Sequence, residues 1–320
     1  MKQVSSYTPS NILEEKTRFF TDPVYNPQFR YEVPLEKLAL DGYGQPSPEK
    51  LEKAREIVEK AFYGRNEQDL RMLAGPILSQ QEVSEKVTLF LRLHKLENRY
   101  KISWSSSYLS RSTTTADTIK LKSSAEFRKE SLHGMLYHEI GTHALRRINY
   151  EKQPWFKKKK AYGFSSYLIT EEGLASLHSL LPRTFKLAHS SALRYLLVAY
   201  AQEHSFAEVF QFLGNYVQDQ NRRWGMAVRL KRGMEDTSQP GGYTKDLTYF
   251  EGMFEVAAWL DKNNYNLSPL YLGKLAVADV EKAKTLNPNF QPVLPSFYLI
   301  DPKKYAADMH EIFEFNHLLD

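Results

Sequence analysis

The 320-residue chain contains no cysteine. Disulfides, thiolate metal ligands, iron–sulfur clusters and a cysteine nucleophile are therefore excluded. No run approaches the roughly 18–20 apolar residues of a membrane span. The opening residues, Met1-Lys2-Gln3-Val4-Ser5-Ser6-Tyr7, have none of the apolar core of a secretory signal. A cytoplasmic protein with no membrane span is the expectation. No repeat of fixed period is present, and no linker is long or polar enough to separate domains. What the chain does have is a globular balance of 42% apolar and 25% charged residues, which excludes fibrous and wholly disordered classes. Its net charge of +5 favours an anionic partner: an acidic peptide, a phosphate, a nucleic acid or a lipid surface.

Asn26-Pro27, Val33-Pro34 and the stretch 42–46 punctuate the first 45 residues, which read as irregular structure with short elements. Ser47-Pro48-Glu49 then opens a helix: Ser caps, Pro suits the first helical position, and the acid complements the dipole. Leu51, Ala54, Ile57, Val58 and Ala61 follow at helical spacing. A second helix is expected over about 79–98. Residues 101–109 alternate, and 116–122 place Ile119 and Leu121 on one face, with the Ser/Thr-rich 110–115 between them. That pattern predicts a β-hairpin. Helical patterns follow over about 125–149, 170–181, 189–203, 205–219, 245–262, 270–285 and 303–318. Val293-Leu294 and 297–300 read as a short extended segment. The predicted class is α+β, mainly helical, with a small antiparallel sheet just before the central helix.

The strongest chemical signal is Tyr137-His138-Glu139-Ile140-Gly141-Thr142-His143, inside the 125–149 helix. Two imidazoles with a Glu directly after the first suit a zinc hydrolase. The imidazoles bind the metal and the Glu takes a proton from water. The usual spacing, His-Glu-x-x-His, has three residues between the histidines; here there are four. On a regular α-helix, positions i and i+5 are about 140° apart, so both rings could not reach one ion. A π-bulge would return them to one face. Gly141, within the pair, eases such a distortion. A bulged helix between His138 and His143 is therefore predicted. His133, five residues before His138, reads as packing or as a supporting residue. The site also needs a third ligand. Thr170 looks like a helix N-cap, which would put Glu171 and Glu172 in the first turn. Either could serve on spacing, and either could simply complement the helix dipole.

The Tyr-His-Glu-Ile-Gly-Thr-His run followed by Glu171-Glu172-Gly173-Leu174-Ala175 resembles the catalytic domain of the microtubule-associated tyrosine carboxypeptidases. It also resembles their bacterial relatives, which carry Gln-Glu-Gly-Leu-Ala. Lys231-Arg232-Gly233 and the block 240–246, with Tyr249 and Gly252, look like further parts of the family's pattern. The resemblance runs from about Asn26 to beyond residue 260. It implies a zincin-like zinc metallocarboxypeptidase, which in eukaryotic members removes the C-terminal Tyr of α-tubulin. It puts the metal ligands on His138, His143 and Glu172 and the catalytic residue on Glu139. Glu171 stands where the bacterial motif has Gln. The long N-terminal extension of the eukaryotic members is missing, so a prokaryotic-type relative or a catalytic domain alone is expected. Residues 1–100 are expected to pack as a helical portion on a catalytic domain of 101–320.

A C-terminal exopeptidase must hold a free carboxylate, and the Arg fork suits one. Residues 222–249 supply Arg222, Arg223, Arg229, Lys231, Arg232 and Lys245, of which Arg229, Arg232 and Lys245 fall in or beside the family blocks. Tyr243 and Tyr249 are candidate donors to an oxyanion. The strand around Trp104 could accept an extended substrate on its edge. The stretch from Arg146 to Lys160 carries seven positive charges and one acid, Glu151. It would steer an acidic, tubulin-like tail. Nucleic acid is not the expected partner. The rival readings are a zinc endopeptidase or other hydrolase, and a regulatory protein that binds acidic partners without turnover.

Overall fold

Ser47 accepts a hydrogen bond from the Lys50 backbone and Pro48 occupies the first turn, so the helix Pro48–Phe62 begins where its capping chemistry places it. Ser79 and Glu82 form a reciprocal capping box at the start of the helix Gln80–Leu93. That helix is shorter than expected, because Lys95 turns into the left-handed region (φ 57°) directly after it. The computed structural model describes residues 8–32, 40–108 and 110–319; Met1–Tyr7, Val33-Pro34 and Leu109 lie outside them. Among the described residues no helix is long and apolar enough to cross a membrane. Among the described residues the chain is mainly helical with one small sheet.

Two compact units alternate along the chain: Met1–Leu70 with Ala188–Phe250, and Arg71–Leu187 with Glu251–Asp320. The first contains the helices Ile12–Thr21, Pro48–Phe62, His189–Glu203, Phe206–Leu213 and Gln220–Lys231. Phe19 is fully buried there against Phe206, Phe210 and Trp224, with ring centroids 4.8–5.4 Å apart. The helix Gln220–Lys231 has no counterpart in the sequence reading, because its many Arg residues hide its apolar positions. Asp219 caps it by accepting from the Arg222 backbone at 2.7 Å.

The second unit holds the sheet. Strands β1 (Lys101–Ser105), β2 (Ser112–Thr114) and β3 (Thr118–Lys122) lie in the order β1-β3-β2. The expected antiparallel hairpin is corrected here. β1 runs parallel to β3, pairing Lys101 with Thr118 through to Ser105 with Lys122, and only β2 is antiparallel to β3. The sheet is mixed because the supposed turn is itself extended and takes one edge of β3, leaving the other for β1. Parallel pairing needs a connection of about a dozen residues, which 106–117 provides. β3 gains the centre, and Ile119 and Leu121 are fully buried.

After the sheet, one continuous helix runs from Lys129 to Glu151 in three parts: α-helical Lys129–Leu136, π-helical Tyr137–Ala144, and α-helical Leu145–Glu151. The predicted distortion is thus a full π segment. The helix Leu168–Leu180 packs against it. Thr170 is not the cap of that helix, which starts at Leu168; its hydroxyl donates to Glu255 Oε2 and accepts from the Val277 backbone. The helix expected over 270–285 is also broken. Ser268–Tyr271 is one tight turn, Gly273 sits at φ +133°, a second tight turn spans Val277–Asp279, and α-helix resumes only at Val280. A side chain at Gly273 would be strained and would press on Tyr150. The piece expected to be extended near 297 is instead the short helix Ser296–Leu299.

Candidate active site and metal centre

The π segment does to the histidines what its geometry requires. His138 and His143 face each other, with ring centroids 4.8 Å apart. Glu172, from the helix Leu168–Leu180, brings its carboxylate to both: Oε2 lies 4.0 Å from His138 Nε2 and 3.7 Å from His143 Nε2. The three donor atoms all fall within 4.8 Å of one another. Two imidazoles and one carboxylate are the donor set of a catalytic zinc site with one open position. A single ion could touch all three.

The adjacent acid does something else. Glu171 is buried and turns to the far side of His143, where Nδ1 donates to its Oε1 at 2.8 Å. That bond fixes the tautomer, so His143 Nε2 points its lone pair toward Glu172 and His138. Burial lowers the His143 pKa, but the Glu171 bond and charge outweigh it, and the net shift is upward. For His138, burial and the neighbouring His143 prevail and the net shift is downward. The Glu171 carboxyl is held well below its ordinary range: burial would raise it, but Lys274, Arg146 and His143 dominate.

Glu139 is 4% exposed and belongs to the same turn. Thr114, on β2, donates to its Oε2 at 2.8 Å. Burial raises this carboxyl, yet His138, His143 and the Ser112 and Thr114 hydroxyls bring it below its usual value. Glu139 is therefore ionised at neutral pH and able to accept a proton. Strand β2 touches this turn through Thr114.

The π segment is held from three sides. Thr142 donates its hydroxyl to the Tyr137 carbonyl at 2.9 Å. Its oxygen then accepts from His178 Nδ1, and His178 Nε2 accepts from the Tyr305 hydroxyl. Burial keeps His178 neutral by pushing its pKa well down. Tyr271 donates to the Gly141 carbonyl at 2.5 Å. Phe297 lies over Gly141 so closely that a Cβ there would come within 2.6 Å of its ring. His133 is exposed and takes no part.

The remaining candidates lie in the other unit and form their own cluster. Arg229 grips Asp246 with two bonds of 2.6 and 2.7 Å, so its fork is already engaged. Tyr249 also bonds to Arg229, and the Arg194 guanidinium lies over its ring. Arg232 is 8% exposed and stacks on Tyr243 at 4.3 Å, and its Nε has no hydrogen-bond partner. Lys245 is half-buried. Lys231 is excluded as a clamp. It is fully buried and donates to the carbonyls of Ala201, His204, Gln239 and Gly241. It holds the Pro240-Gly241-Gly242 turn.

Sequence reasoning missed Thr114, Lys274 and Tyr271, and counted Arg146 among the charges of a basic stretch that would steer an acidic tail. Arg146 is fully buried and bonds Glu171. Its place three residues after His143, one helical turn on, is the signal that could have found it. The 152–164 stretch is likewise anchored. Trp155 is fully buried against Leu272, Leu275 and Ala283, with Tyr162 and Phe164 packed on it. These aromatics face inward, while Lys152, Lys157, Lys158 and Lys160 are exposed.

A family model described as microtubule-associated tyrosine carboxypeptidase matches residues 30–315. The mouse (Mus musculus) protein named putative tyrosine carboxypeptidase MATCAP2 is 33% identical over 326 residues, covering 99% of this chain and 62% of its own length. Mouse microtubule-associated tyrosine carboxypeptidase 1 is 32% identical over 97% of this chain and 68% of its own length. The human (Homo sapiens) protein of that name is 31% identical over 97% and 67%. The chain thus spans about two thirds of the length of these relatives.

Proposed function

The chain belongs to the microtubule-associated tyrosine carboxypeptidase family, and from that membership we propose that it is a zinc-dependent, zincin-like metallocarboxypeptidase. Its substrate is a protein tail rich in acidic residues, such as that of α-tubulin, from which it removes a C-terminal Tyr or other aromatic. The association with microtubules that the relatives' names carry supports a cytoplasmic setting. The observation that carries the reading is the meeting of His138, His143 and Glu172 on one side of the π segment, with ionised Glu139 in the same turn.

His138, His143 and Glu172 would hold the zinc. Bound there, the metal would polarise the scissile carbonyl and make a water nucleophilic at neutral pH. Glu139 accepts the proton of the attacking water and passes it to the leaving amine. Thr114 keeps the Glu139 carboxylate in one orientation while it does so. The free terminal carboxylate needs a cation, and of Arg229 and Arg232 we assign that role to Arg232. Its neighbour Arg229 is committed to Asp246, whereas Arg232 keeps a buried Nε with no partner. Tyr243, Tyr249 and Lys245 belong to the same substrate-binding proposal, as groups around that cation.

The test is intact-mass spectrometry of an acidic peptide ending in a free Tyr, incubated with the wild type and with Glu139→Gln. Loss of one Tyr by the wild type alone is the expected result. Normal turnover by Glu139→Gln would remove that residue from its role. Equal cleavage of the C-terminally amidated peptide would make the enzyme an endopeptidase instead.

A further inference from the structure

The buried carboxylate of Glu171 serves three partners. Oε1 accepts from His143 Nδ1 at 2.8 Å and from Lys274 Nζ at 2.5 Å, and Oε2 accepts from Arg146 Nη1. Arg146 uses its remaining arms on the carbonyls of Leu270 and Leu275, each at 2.8 Å. These two residues flank Lys274 in the chain, so Arg146 holds the backbone that carries the lysine. Within the same stretch, Tyr271 donates to the Gly141 carbonyl between the two histidines. The Lys274 ammonium also lies 5.5 Å from the ring centroid of Tyr167, immediately before the helix that carries Glu171 and Glu172. The stretch 270–275 therefore touches the π segment, the following helix turn and Glu171 at once.

We propose that Lys274 is a positioning residue for the metal centre: it fixes the Glu171 carboxylate and, through it, the ring of His143. A carboxylate with a free rotamer would offer His143 Nδ1 a moving acceptor. With an ammonium on one oxygen and a guanidinium on the other, both side chains buried or nearly so, Glu171 keeps one orientation. His143 Nε2 then keeps one direction. An ordinary surface ion pair would do little of this, because solvent and side-chain entropy would loosen it. Here the Glu171 side chain is 2% and the Lys274 side chain 15% exposed. Nothing in the Glu-Glu-Gly-Leu-Ala run points to a lysine a hundred residues downstream. The inference rests on the zinc reading above.

The test is zinc affinity, measured by competition with a chromogenic chelator, for the wild type, Lys274→Met, Glu171→Gln and the double variant. Thermal unfolding of each metal-free protein is recorded in parallel. Loss of a supporting contact of this kind weakens metal binding by about 10–100-fold, and Lys274→Met is expected in that range. Because Lys274 acts through Glu171, the double variant is expected to bind zinc no more weakly than Glu171→Gln alone. Unchanged zinc affinity in Lys274→Met would overturn the proposal. So would two losses that multiply in the double variant, since that is the behaviour of an independent structural contact. If Lys274→Met does not fold, Lys274→Gln, which keeps a donor without the charge, takes its place in the same cycle. A wild type that binds no zinc sinks the zinc reading and this inference together. A wild type that binds zinc beside an unaffected Lys274→Met sinks the inference alone.

Discussion

Asp246 is 3% exposed and receives both arms of the Arg229 guanidinium. Burial alone would raise its carboxyl pKa, but Arg229, Arg194 and Arg232 outweigh burial and hold it far below the ordinary range. A carboxyl lowered on folding stabilises the fold above its unfolded value, near 3.9, and that contribution is lost as pH falls through the lower folded value. Unfolding free energy is therefore expected to drop between about pH 4 and pH 2 in the wild type, and less steeply in Asp246→Asn. The variant is expected to be less stable by about 3 kcal/mol at neutral pH, because it leaves Arg229 without its charge partner. Urea unfolding of both proteins across that pH range checks this, and parallel curves would refute it. The same pair shows what sequence can and cannot tell at this scale. Residue type and spacing made Arg229 and Arg232 equal candidates for a clamp. Only the fold shows that Asp246 occupies one of them. Likewise Glu171 and Glu172 are adjacent in sequence, but successive side chains on a helix point about 100° apart, so one meets the Nε2 atoms of His138 and His143 and the other meets His143 Nδ1.

At the scale of elements, glycines set how closely helices approach. Gly141 in the π segment lies beneath Phe297, and Gly173 meets Gly252 so tightly that a Cβ would fall 2.1 Å from the Gly252 carbonyl carbon and oxygen. The obstacles differ in kind. At Gly141 it is the edge of one ring, which can move; at Gly173 it is backbone, which cannot. Ala in a helix interior is favoured over Gly by about 1 kcal/mol, so an unobstructed exchange would stabilise. Gly141→Ala is instead expected to cost about 1–3 kcal/mol, as overpacking does, and Phe297→Leu should recover part of it. Gly173→Ala should cost more, with no single side-chain change to rescue it. Thermal unfolding of the three variants tests the order; a Gly173→Ala protein as stable as the wild type would refute it. The π segment itself was legible, because four residues between the histidines would put the two rings about 140° apart on a helix of 3.6 residues per turn. The sheet order was not, because Ser112–Thr114 gives the same polar signal as a turn. The break at 272–279 was not either, since an apolar 3.6-residue pattern persists through it and only the φ of Gly273 interrupts it.

For the whole molecule, the +5 charge is unevenly placed, and burial decides which cations can act at a distance. Sequence counted seven positive charges between Arg146 and Lys160. The fold removes Arg146 to the interior, pairs Arg147 with Glu151 at 3.0 Å, and lays Lys159 on the Tyr167 ring at 3.7 Å. The Lys159 amine is driven down to about 7, chiefly by burial and then by Arg146, so it is only partly charged at neutral pH. Four lysines remain in solvent: Lys152, Lys157, Lys158 and Lys160. They lie on a segment that Trp155 pins to the core and that Lys159 ties to the start of the Glu171–Glu172 helix. Charges fixed in this way act on an approaching acidic tail over roughly one Debye length, about 8 Å at 0.15 M salt. Their effect belongs to encounter rather than to the chemical step. Reversing Lys157, Lys158 and Lys160 to Glu is therefore expected to lower kcat/KM several-fold on an acidic peptide at low salt. It should leave kcat unchanged and spare a neutral peptide with the same terminal residue. Raising the salt should bring wild type and variant together. An equal loss on the neutral peptide would mean that these lysines support the fold around Trp155, and steering by the 152–160 stretch would be wrong.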